Sequence, residues 1–81
     1  MQTRETHRFA RSYGEAPLAI QQAFDKQVRL LVSNLRHPSL RSKKYDPGRG
    51  IWQARVTRGW RFYFLIDGET CILLDIIPHP K

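Results

Sequence analysis

Apolar and polar side chains repeat with the period of a helix between Pro17 and Leu35. Apolar residues recur there every three or four positions, and glutamine, lysine, arginine and serine occupy the opposite face, which is the pattern of an amphipathic helix. Pro17 suits the first turn of a helix. His37 precedes Pro38, and the residue before a proline is pushed out of helical backbone. The segment predicts a helix of about 18 residues, whose core-facing stripe consists of Ile20, Phe24, Val28, Leu31 and Leu35.

Further along the chain the pattern changes to a period of two, which is typical of strands. Three strand-like runs cover residues 51–56, 60–66 and 70–77, and a weaker run covers 40–45. Asp67-Gly68 is a strong hairpin signal between the last two runs. These runs predict an antiparallel meander.

The first residues carry a weaker pattern. HRFARSY, residues 7–13, predicts a short strand with Phe9 turned inward. A helical segment followed by strands predicts an α+β fold. We expect one domain, residues 1–81, in which an N-terminal helical layer packs on one face of a small antiparallel sheet of about four strands.

The faces of the first two strand runs determine how those strands pair. Alternate residues of 51–56 and of 60–66 are apolar and should face the core. A three-residue loop at 57–59 aligns the two apolar faces, whereas a two-residue loop would turn one of them to solvent. Gly59 is then predicted to take the left-handed backbone that such a loop needs.

The same register predicts a concentration of positive charge on the other face of the sheet. Arg55 is placed opposite Arg61, and Gln53 opposite Tyr63 beside them. Like charges directly across a sheet are destabilising, so the pair needs a compensating negative charge. One source is internal: Asp75 would lie next to Arg61 if the last hairpin also had a three-residue loop. The other source is external, a phosphate held between the two guanidinium groups.

The distribution of charge favours the external anion. The chain has 81 residues and a formal net charge of +7. Between residues 36 and 61 eight residues are basic and one, Asp46, is acidic. Such a block attracts polyanions; the alternative is a solvated basic face that keeps a small protein soluble. One carboxylate cannot neutralise all the residues expected near the patch, which include Lys43, Lys44, Arg49 and Tyr63.

Cysteine usage and hydropathy indicate the compartment. Cys71 is the only cysteine in the sequence, so an internal disulfide is excluded, which fits a reducing environment. Residues 1–15 lack the apolar run of a signal peptide, and no window approaches the ~20 apolar residues of a membrane span. Three scattered histidines argue against a metal site. We therefore expect a soluble cytoplasmic protein with no metal, no cofactor and no membrane contact.

Three segments, taken in order, resemble the RelE/ParE superfamily of type II toxins. They are NLRHPSLRSKK, GIWQARVTRGWRFYFLIDG and ILLDIIPHP, and the resemblance extends from Ala16 to the end of the sequence. It implies a RelE-like α+β toxin that a cognate antitoxin keeps inactive. The RelE branch cleaves mRNA in the ribosomal A site without a metal, whereas the ParE branch poisons DNA gyrase.

The resemblance also implies roles for individual residues. Arg61 in GWRFYF matches the arginine that contacts the scissile phosphate in RelE-like nucleases, and Arg55 in WQARV matches a basic position beside it. His79 in PHP matches a position where nucleases of this group have a histidine or arginine that acts in acid–base catalysis. The chain departs from some relatives at Gln53, where they have a lysine. It also has no glutamate in HPSL and no tyrosine after His79.

Metal-free RNA cleavage needs proton transfer and stabilisation of a dianionic phosphorane. Two arginines suit the second task, but arginine is a poor proton shuttle. Histidine, with an ordinary pKa of about 6.5, is the better acid or base, and a tyrosine can stack on a base. Lys43 or Lys44 serves as the base only if the dense positive field releases its proton. The predicted catalytic residues are Arg55, Arg61 and His79, and the predicted RNA contacts are Lys43, Lys44, Arg49, Gln53, Arg58 and Tyr63.

Three functions stay open on this basis. The first is a ribosome-dependent endoribonuclease with the ribosome and mRNA as partners. The second is a gyrase-poisoning toxin, and the third is a small basic nucleic-acid-binding module that cleaves nothing. For all three we expect an acidic or amphipathic antitoxin segment as the protein partner, covering the helix and the basic sheet region.

Overall fold

Two helices and a five-stranded sheet make up the fold in the computed structural model, which describes residues 1–79. Pro80 and Lys81, which belong to the predicted domain, lie outside the described residues. The strands follow the order β1-β5-β4-β3-β2 across the sheet, with β1 parallel to β5 and the other neighbours antiparallel. The elements are β1 (Gln2–Glu5), α1 (His7–Glu15), α2 (Leu18–Ser33), a 3₁₀ turn (Pro38–Leu40), β2 (Lys43–Asp46), a second 3₁₀ turn (Pro47–Arg49), β3 (Ile51–Thr57), β4 (Trp60–Asp67) and β5 (Thr70–Pro78).

Helix α2 confirms the predicted amphipathic helix. Its apolar stripe faces the core, where Phe24 and Leu31 are buried and Ile20 and Val28 pack against them and their neighbours. The opposite face is exposed along its length and consists of Gln22, Lys26, Arg29 and Ser33.

The helix ends earlier than predicted, at Ser33 rather than near His37. Asn34 has extended backbone with φ of −160°, and its side chain accepts a hydrogen bond from the N–H of Arg36 at 3.0 Å. This local bond competes with helical backbone. Leu35 therefore lies beyond the helix, yet it still packs against the core.

Residues 7–13 form helix α1, so the predicted strand in this segment is wrong. The hydroxyl of Thr6 accepts a hydrogen bond from the N–H of Phe9 at 3.1 Å, which is a side-chain cap of the helix start. Phe9 and Tyr13 are one helical turn apart, and Phe9 is fully buried, as predicted. The strand lies just upstream, as β1. All four of its residues are exposed, so no apolar alternation marks it in the sequence.

The four predicted strand runs correspond to β2, β3, β4 and β5, and β1 raises the number of strands to five. The helices cover one face of the sheet, which confirms the α+β class. The core lies between these two layers. Its largest fully buried side chains are Phe9, Phe62, Phe64, Leu31, Leu40, Leu73 and Ile76.

The first hairpin has the predicted register but a different loop. Arg55 pairs with Arg61, and the pairing then shifts by one residue between Arg55 and Thr57. A β-bulge between Arg55 and Thr57 thus accommodates one unpaired residue of β3. Arg58 and Gly59 form a two-residue turn. The predicted left-handed Gly59 is wrong, because the residues with positive φ among 1–79 are Arg41, Gly50 and Gly68.

The last hairpin places Asp75 away from Arg61. Its turn is two residues long rather than three, and the register shifts once along the strands. Asp75 therefore lies opposite Tyr63, and its carboxylate accepts a hydrogen bond from the hydroxyl of Ser12 at 2.6 Å. The internal ion pair considered for Arg61 is not formed.

Candidate functional site

Arg55 and Arg61 stand side by side on the sheet face that points away from the helices, which we call the outer face. The two residues are direct cross-strand partners. Their neighbours Ala54 and Phe62 are fully buried beneath the helical layer, and successive side chains of a strand point to opposite faces. The predicted pairing of the two arginines is confirmed.

The guanidinium group of Arg61 is oriented by the backbone of the β3–β4 turn. Its Nη1 donates to the carbonyl oxygens of Thr57 at 2.7 Å and Trp60 at 3.0 Å, and lies 3.3 Å from that of Arg58. A guanidinium carries five N–H donors, so donors on its other nitrogens are left for a ligand. The side chain is thus held in place before any anion binds.

No carboxylate pairs with these two arginines in the described part of the chain, where the one ion pair joins Arg49 to Asp46 at 3.7 Å. Burial lowers the pKa of the Arg61 guanidinium from its usual value, and the charges of Arg55 and Arg41 lower it further. Arginine still keeps its proton at neutral pH. The cluster therefore presents a positive potential that favours an anion.

Gln53 and Tyr63 lie opposite each other beside the arginines, as predicted. The Gln53 amide donates to the Tyr63 hydroxyl at 2.9 Å, and only 5% of Gln53 is exposed. The ring of Tyr45 packs edge-on against Tyr63 with centroids 4.9 Å apart. Tyr45 is 58% exposed. This second aromatic side chain was not among the predicted contacts, although alternation along β2 places it with Lys43.

The two lysines of β2 point to opposite faces of the sheet. Lys43 pairs with Gln53 and shares the outer face with the arginines, whereas Lys44 pairs with Trp52. The Lys44 Nζ lies 4.9 Å from the centre of the Trp52 ring, a cation–π distance. The expectation that both lysines lie near one patch is therefore wrong for Lys44, because side chains of a strand alternate.

The remaining predicted arginine contacts lie at different ends of β3. Arg58 is in the β3–β4 turn, whose carbonyls hold Arg61. Arg49 precedes β3 at its other end and pairs with Asp46. The structure thus places the backbone of Arg58 beside the Arg61 guanidinium and leaves Arg49 at the other end of β3.

His79 is joined to the same turn. Its N–H donates to the carbonyl oxygen of Gly59 at 2.8 Å, which continues the pairing beyond Pro78. Ile77, two residues earlier, lies opposite Arg61. The structure therefore brings the backbone of His79 to the end of the sheet at which Arg55 and Arg61 pair.

Arg41 is a member of the cluster that the sequence did not indicate. Its charge lowers the pKa of the Arg61 guanidinium, and the turn before it is tied to Arg55 because one amide donates to the carbonyl oxygens of Ser39 and Arg55. Its backbone is left-handed, with φ of 47°, a conformation that is uncommon for residues other than glycine. Nothing in the sequence marks this conformation.

Gln27 is a second residue that the analysis of the sequence missed. It lies on the apolar face of α2, is 7% exposed, and donates to the carbonyl oxygens of Arg55 at 2.8 Å and Ser39 at 3.1 Å. A polar residue three positions after Phe24, within an apolar stripe, was the signal available for it.

A groove of about 340 Å³ lies beside Tyr63 and Ile77, of which Ile77 is the cross-strand partner of Arg61. Its apolar lining consists of Tyr45, Ile51, Tyr63, Leu74 and Ile77, and its charged lining of Arg8 and Asp75. The outer face therefore combines a cationic end with a groove of aromatic and aliphatic side chains, a combination that is typical of surfaces that bind single-stranded nucleic acid.

No group of three or more His, Cys, Asp or Glu side chains within residues 1–79 is placed to hold a metal ion. None of the helices formed by these residues combines the length and the apolar character needed to cross a bilayer.

Comparison with known proteins gives matches by structure. No sequence-family model matches the chain, and no curated protein matches it. The YoeB/ParE toxin from Agrobacterium tumefaciens is similar with a TM-score of 0.82 and 14% identity, over 99% of this chain and 100% of that one. The RelB–RelE complex from Methanococcus jannaschii is similar with a TM-score of 0.75 and 16% identity, over 91% of this chain and 87% of that one. The RelBE2 complex from Mycobacterium tuberculosis is similar with a TM-score of 0.73 and 20% identity, over 96% of both chains. The chain therefore has the fold of the RelE- and ParE-type toxins, as the resemblance of its sequence implied.

Proposed function

We propose that this protein is the toxin of a type II toxin–antitoxin system and a ribosome-dependent endoribonuclease that cleaves mRNA without a metal. The observation that carries the proposal is the pairing of Arg55 with Arg61 on the outer face, with neither bound to a carboxylate among residues 1–79. Similarity of fold to RelE- and ParE-type toxins supports the toxin assignment.

The arginine pair would act on the phosphate at which the chain breaks. In the proposed reaction the 2′-hydroxyl oxygen attacks the adjacent phosphorus, the O2′–P bond forms and the P–O5′ bond breaks. The products are a 2′,3′-cyclic phosphate and a 5′-hydroxyl. Arg55 and Arg61 donate to the non-bridging oxygens, whose negative charge increases in the phosphorane. Because backbone carbonyls already orient Arg61, little reorganisation accompanies the reaction.

His79 is the proposed proton donor to the leaving oxygen. Its backbone bond to Gly59 places it against the turn that orients Arg61. An imidazolium can donate a proton to an oxygen within hydrogen-bond reach, which is the step that the 5′-oxygen needs as it leaves. Lys43, on the same face as the arginines, is the candidate for accepting the 2′-hydroxyl proton.

The flanking nucleotides would lie along the outer face. Lys43 and Arg58 add positive charge on either side of the arginine pair, and the rings of Tyr63 and Tyr45 offer a surface on which a base can stack. Lys44 and Arg49 contribute to the long-range field rather than to this face, because one lies over Trp52 and the other pairs with Asp46.

An antitoxin is the proposed protein partner. The structures similar to this one include complexes of RelE-type toxins with RelB antitoxins. An acidic or amphipathic antitoxin segment would cover the helical layer and the basic outer face. Its acidic side chains would neutralise the arginine pair and its apolar side chains would enter the groove beside Tyr63.

A toxin directed at gyrase, or a binding module without catalysis, is the second candidate, and Gln53 is the observation that favours it. Some relatives have a lysine where this chain has Gln53, and here the amide is buried and bound to Tyr63. The position therefore supplies neither a cation nor an acid.

Expression in bacteria with mapping of transcript 5′ ends tests the proposed function. The chain should produce new ends inside translated codons, and Arg61→Ala should abolish them. Arg29→Ala, on the exposed face of α2, removes the same charge and should cleave like the parent. A DNA-damage response with intact transcripts would assign the protein to gyrase. If expression has no effect on growth, the result would favour a nucleic-acid-binding module that cleaves nothing.

A further inference from the structure

A cavity of about 240 Å³ lies beside Trp52, where the connection after α2 enters strand β2. Its polar lining consists of Arg36, His37, Arg41 and Ser42. None of these residues is used in the proposed cleavage step. Arg41, which lines the cavity, also adds to the positive charge around Arg61, whose pKa it lowers.

The polar groups around the cavity are all able to donate hydrogen bonds. Arg36 and Arg41 are cations without a carboxylate partner in the described residues. The Nδ1 of His37 accepts from the N–H of Ser39 at 3.2 Å, so its Nε2 carries the proton when the ring is neutral. A cavity with this lining suits an anion and disfavours a cation.

The hydroxyl of Ser42 is buried and has no hydrogen-bond partner among residues 1–79. Buried polar side chains in proteins almost always have a partner, so a group that lacks one calls for an explanation. Since Ser42 also lines the cavity, rotation of its hydroxyl towards an oxyanion bound there would supply the missing acceptor. This observation is independent of the charges.

A shared hydrogen-bond donor ties the segment beside the cavity to the arginine pair. The side-chain amide of Gln27 donates to the carbonyl oxygens of both Ser39 and Arg55. Ser39 lies two residues before Arg41, which lines the cavity. The turn that leads into the cavity therefore lies against the backbone of Arg55.

We propose that this cavity is a second phosphate-binding site, which holds the phosphate of a neighbouring nucleotide when Arg55 and Arg61 hold the scissile one. The assignment of this phosphate to RNA rests on the proposed function, whereas the preference for a phosphate group rests on the cavity itself. Arg36, Arg41 and the Ser42 hydroxyl are its ligands.

Titration with inorganic phosphate tests the site without any catalysis. In ¹⁵N-resolved NMR spectra, the backbone amide of Ser42 and the indole N–H of Trp52 should shift with phosphate. Ser42→Ala and Arg36→Gln should each weaken the binding that these signals report by roughly fivefold or more. Arg29→Gln, which removes a charge elsewhere on the exposed surface, should leave it unchanged. Equal affinities in all four proteins would overturn the proposal.

Ser42→Ala also separates ligand binding from folding. Removing a hydroxyl that has no partner should not lower the urea midpoint of the free protein. Weaker phosphate binding by a variant of undiminished stability would support the site. Unchanged phosphate binding by this variant would show that the Ser42 hydroxyl is not a ligand of the site and would overturn the proposal.

The salt dependence of RNA binding identifies the source of the phosphate. With a short single-stranded oligonucleotide that lacks the reactive 2′-hydroxyl, the slope of log K against log salt counts phosphate contacts. Arg36→Gln should reduce the slope by about 0.7, and Arg29→Gln should not. An unchanged slope together with a positive phosphate titration would support a site for free phosphate and overturn its assignment to RNA. These readouts stay independent of the proposed nuclease, which fails if Arg61→Ala still cleaves.

Discussion

The side-chain amide of Gln27 donates a hydrogen bond to the carbonyl oxygen of Arg55 at 2.8 Å. Gln27 belongs to the helix that covers the core, whereas the Arg55 side chain points to the outer face. The same amide also donates to Ser39, in the turn that leads to Arg41. One buried amide therefore fixes the backbone of two parts of the candidate site, which makes Gln27 a positioning residue.

Gln27→Met should lower both stability and activity. Methionine fills a similar volume but leaves two part-buried carbonyl oxygens without this donor, so the free energy of unfolding should fall by about 1–3 kcal/mol. Urea unfolding measures this loss. Cleavage of mRNA on ribosomes should also fall under conditions in which the variant is still folded, because the Arg55 carbonyl loses the hydrogen bond that fixes its backbone.

Gln22→Met is the matched control, since Gln22 is exposed on the same helix. It should change stability by no more than about 0.5 kcal/mol and leave cleavage intact. If the Gln27 variant lost stability but cleaved at the parent rate while folded, the positioning role would be wrong.

Arg61→Lys should fail to preserve cleavage although it preserves the charge. Arg61 uses one nitrogen to bind the turn carbonyls and has others for a phosphate, whereas the single ammonium of lysine cannot do both. We expect a fall in rate of about 10²–10³, the range for loss of one transition-state donor. Single-turnover cleavage on programmed ribosomes measures it, and a lysine variant within a few-fold of the parent would show that charge alone suffices.

Arg55→Gln should stabilise the free protein while it impairs cleavage. The substitution removes repulsion between like charges directly across the sheet, which is worth about 0.2–1 kcal/mol. The gain should appear in urea unfolding at low salt and shrink at high salt, because salt screens charges. Arg29→Gln controls for the reduction in net charge. A loss of stability at every salt concentration would mean that Arg55 has a structural partner.

The buried thiol of Cys71 should make stability depend on pH in the alkaline range. Burial raises its pKa from 9.0 to about 11, so the folded protein holds the proton more tightly than the unfolded chain. This contribution to stability is complete below pH 9.0 and is lost as the pH rises towards about 11. Urea midpoints of the parent should therefore fall more steeply across this window than those of Cys71→Ala. Parallel profiles would show that the thiol is not the cause.

Residues with a strong periodic pattern were predictable from the sequence. The stripe of α2 and the apolar alternation of β3 and β4 determined both the helical layer and the pairing of Arg55 with Arg61. The register came out correctly although the predicted loop was wrong, because burial of the two apolar faces constrains the register more strongly than the turn does. A bulge next to Arg55 absorbed the difference.

Features that depend on the backbone were not predictable. Strand β1 is fully exposed and is held by pairing with β5, so no side-chain pattern reveals it. The left-handed backbone of Arg41 and the bulge that moves Asp75 opposite Tyr63 have no residue signature either. The predicted position of Lys44 was wrong because adjacent residues of a strand face opposite sides of the sheet. The prediction had placed Lys43 and Lys44 near the same patch.

A double-substitution cycle tests most directly whether Arg55 and Arg61 act together on one phosphate. Arg55→Gln, Arg61→Gln and the double variant are compared by the specificity constant for mRNA cleavage on programmed ribosomes. If both groups grip the same anion, the double variant should lose less than the sum of the single losses, with an interaction energy of about 0.5–3 kcal/mol. Losses that add to within about 0.5 kcal/mol would mean that the two arginines act on separate groups, and would contradict the account.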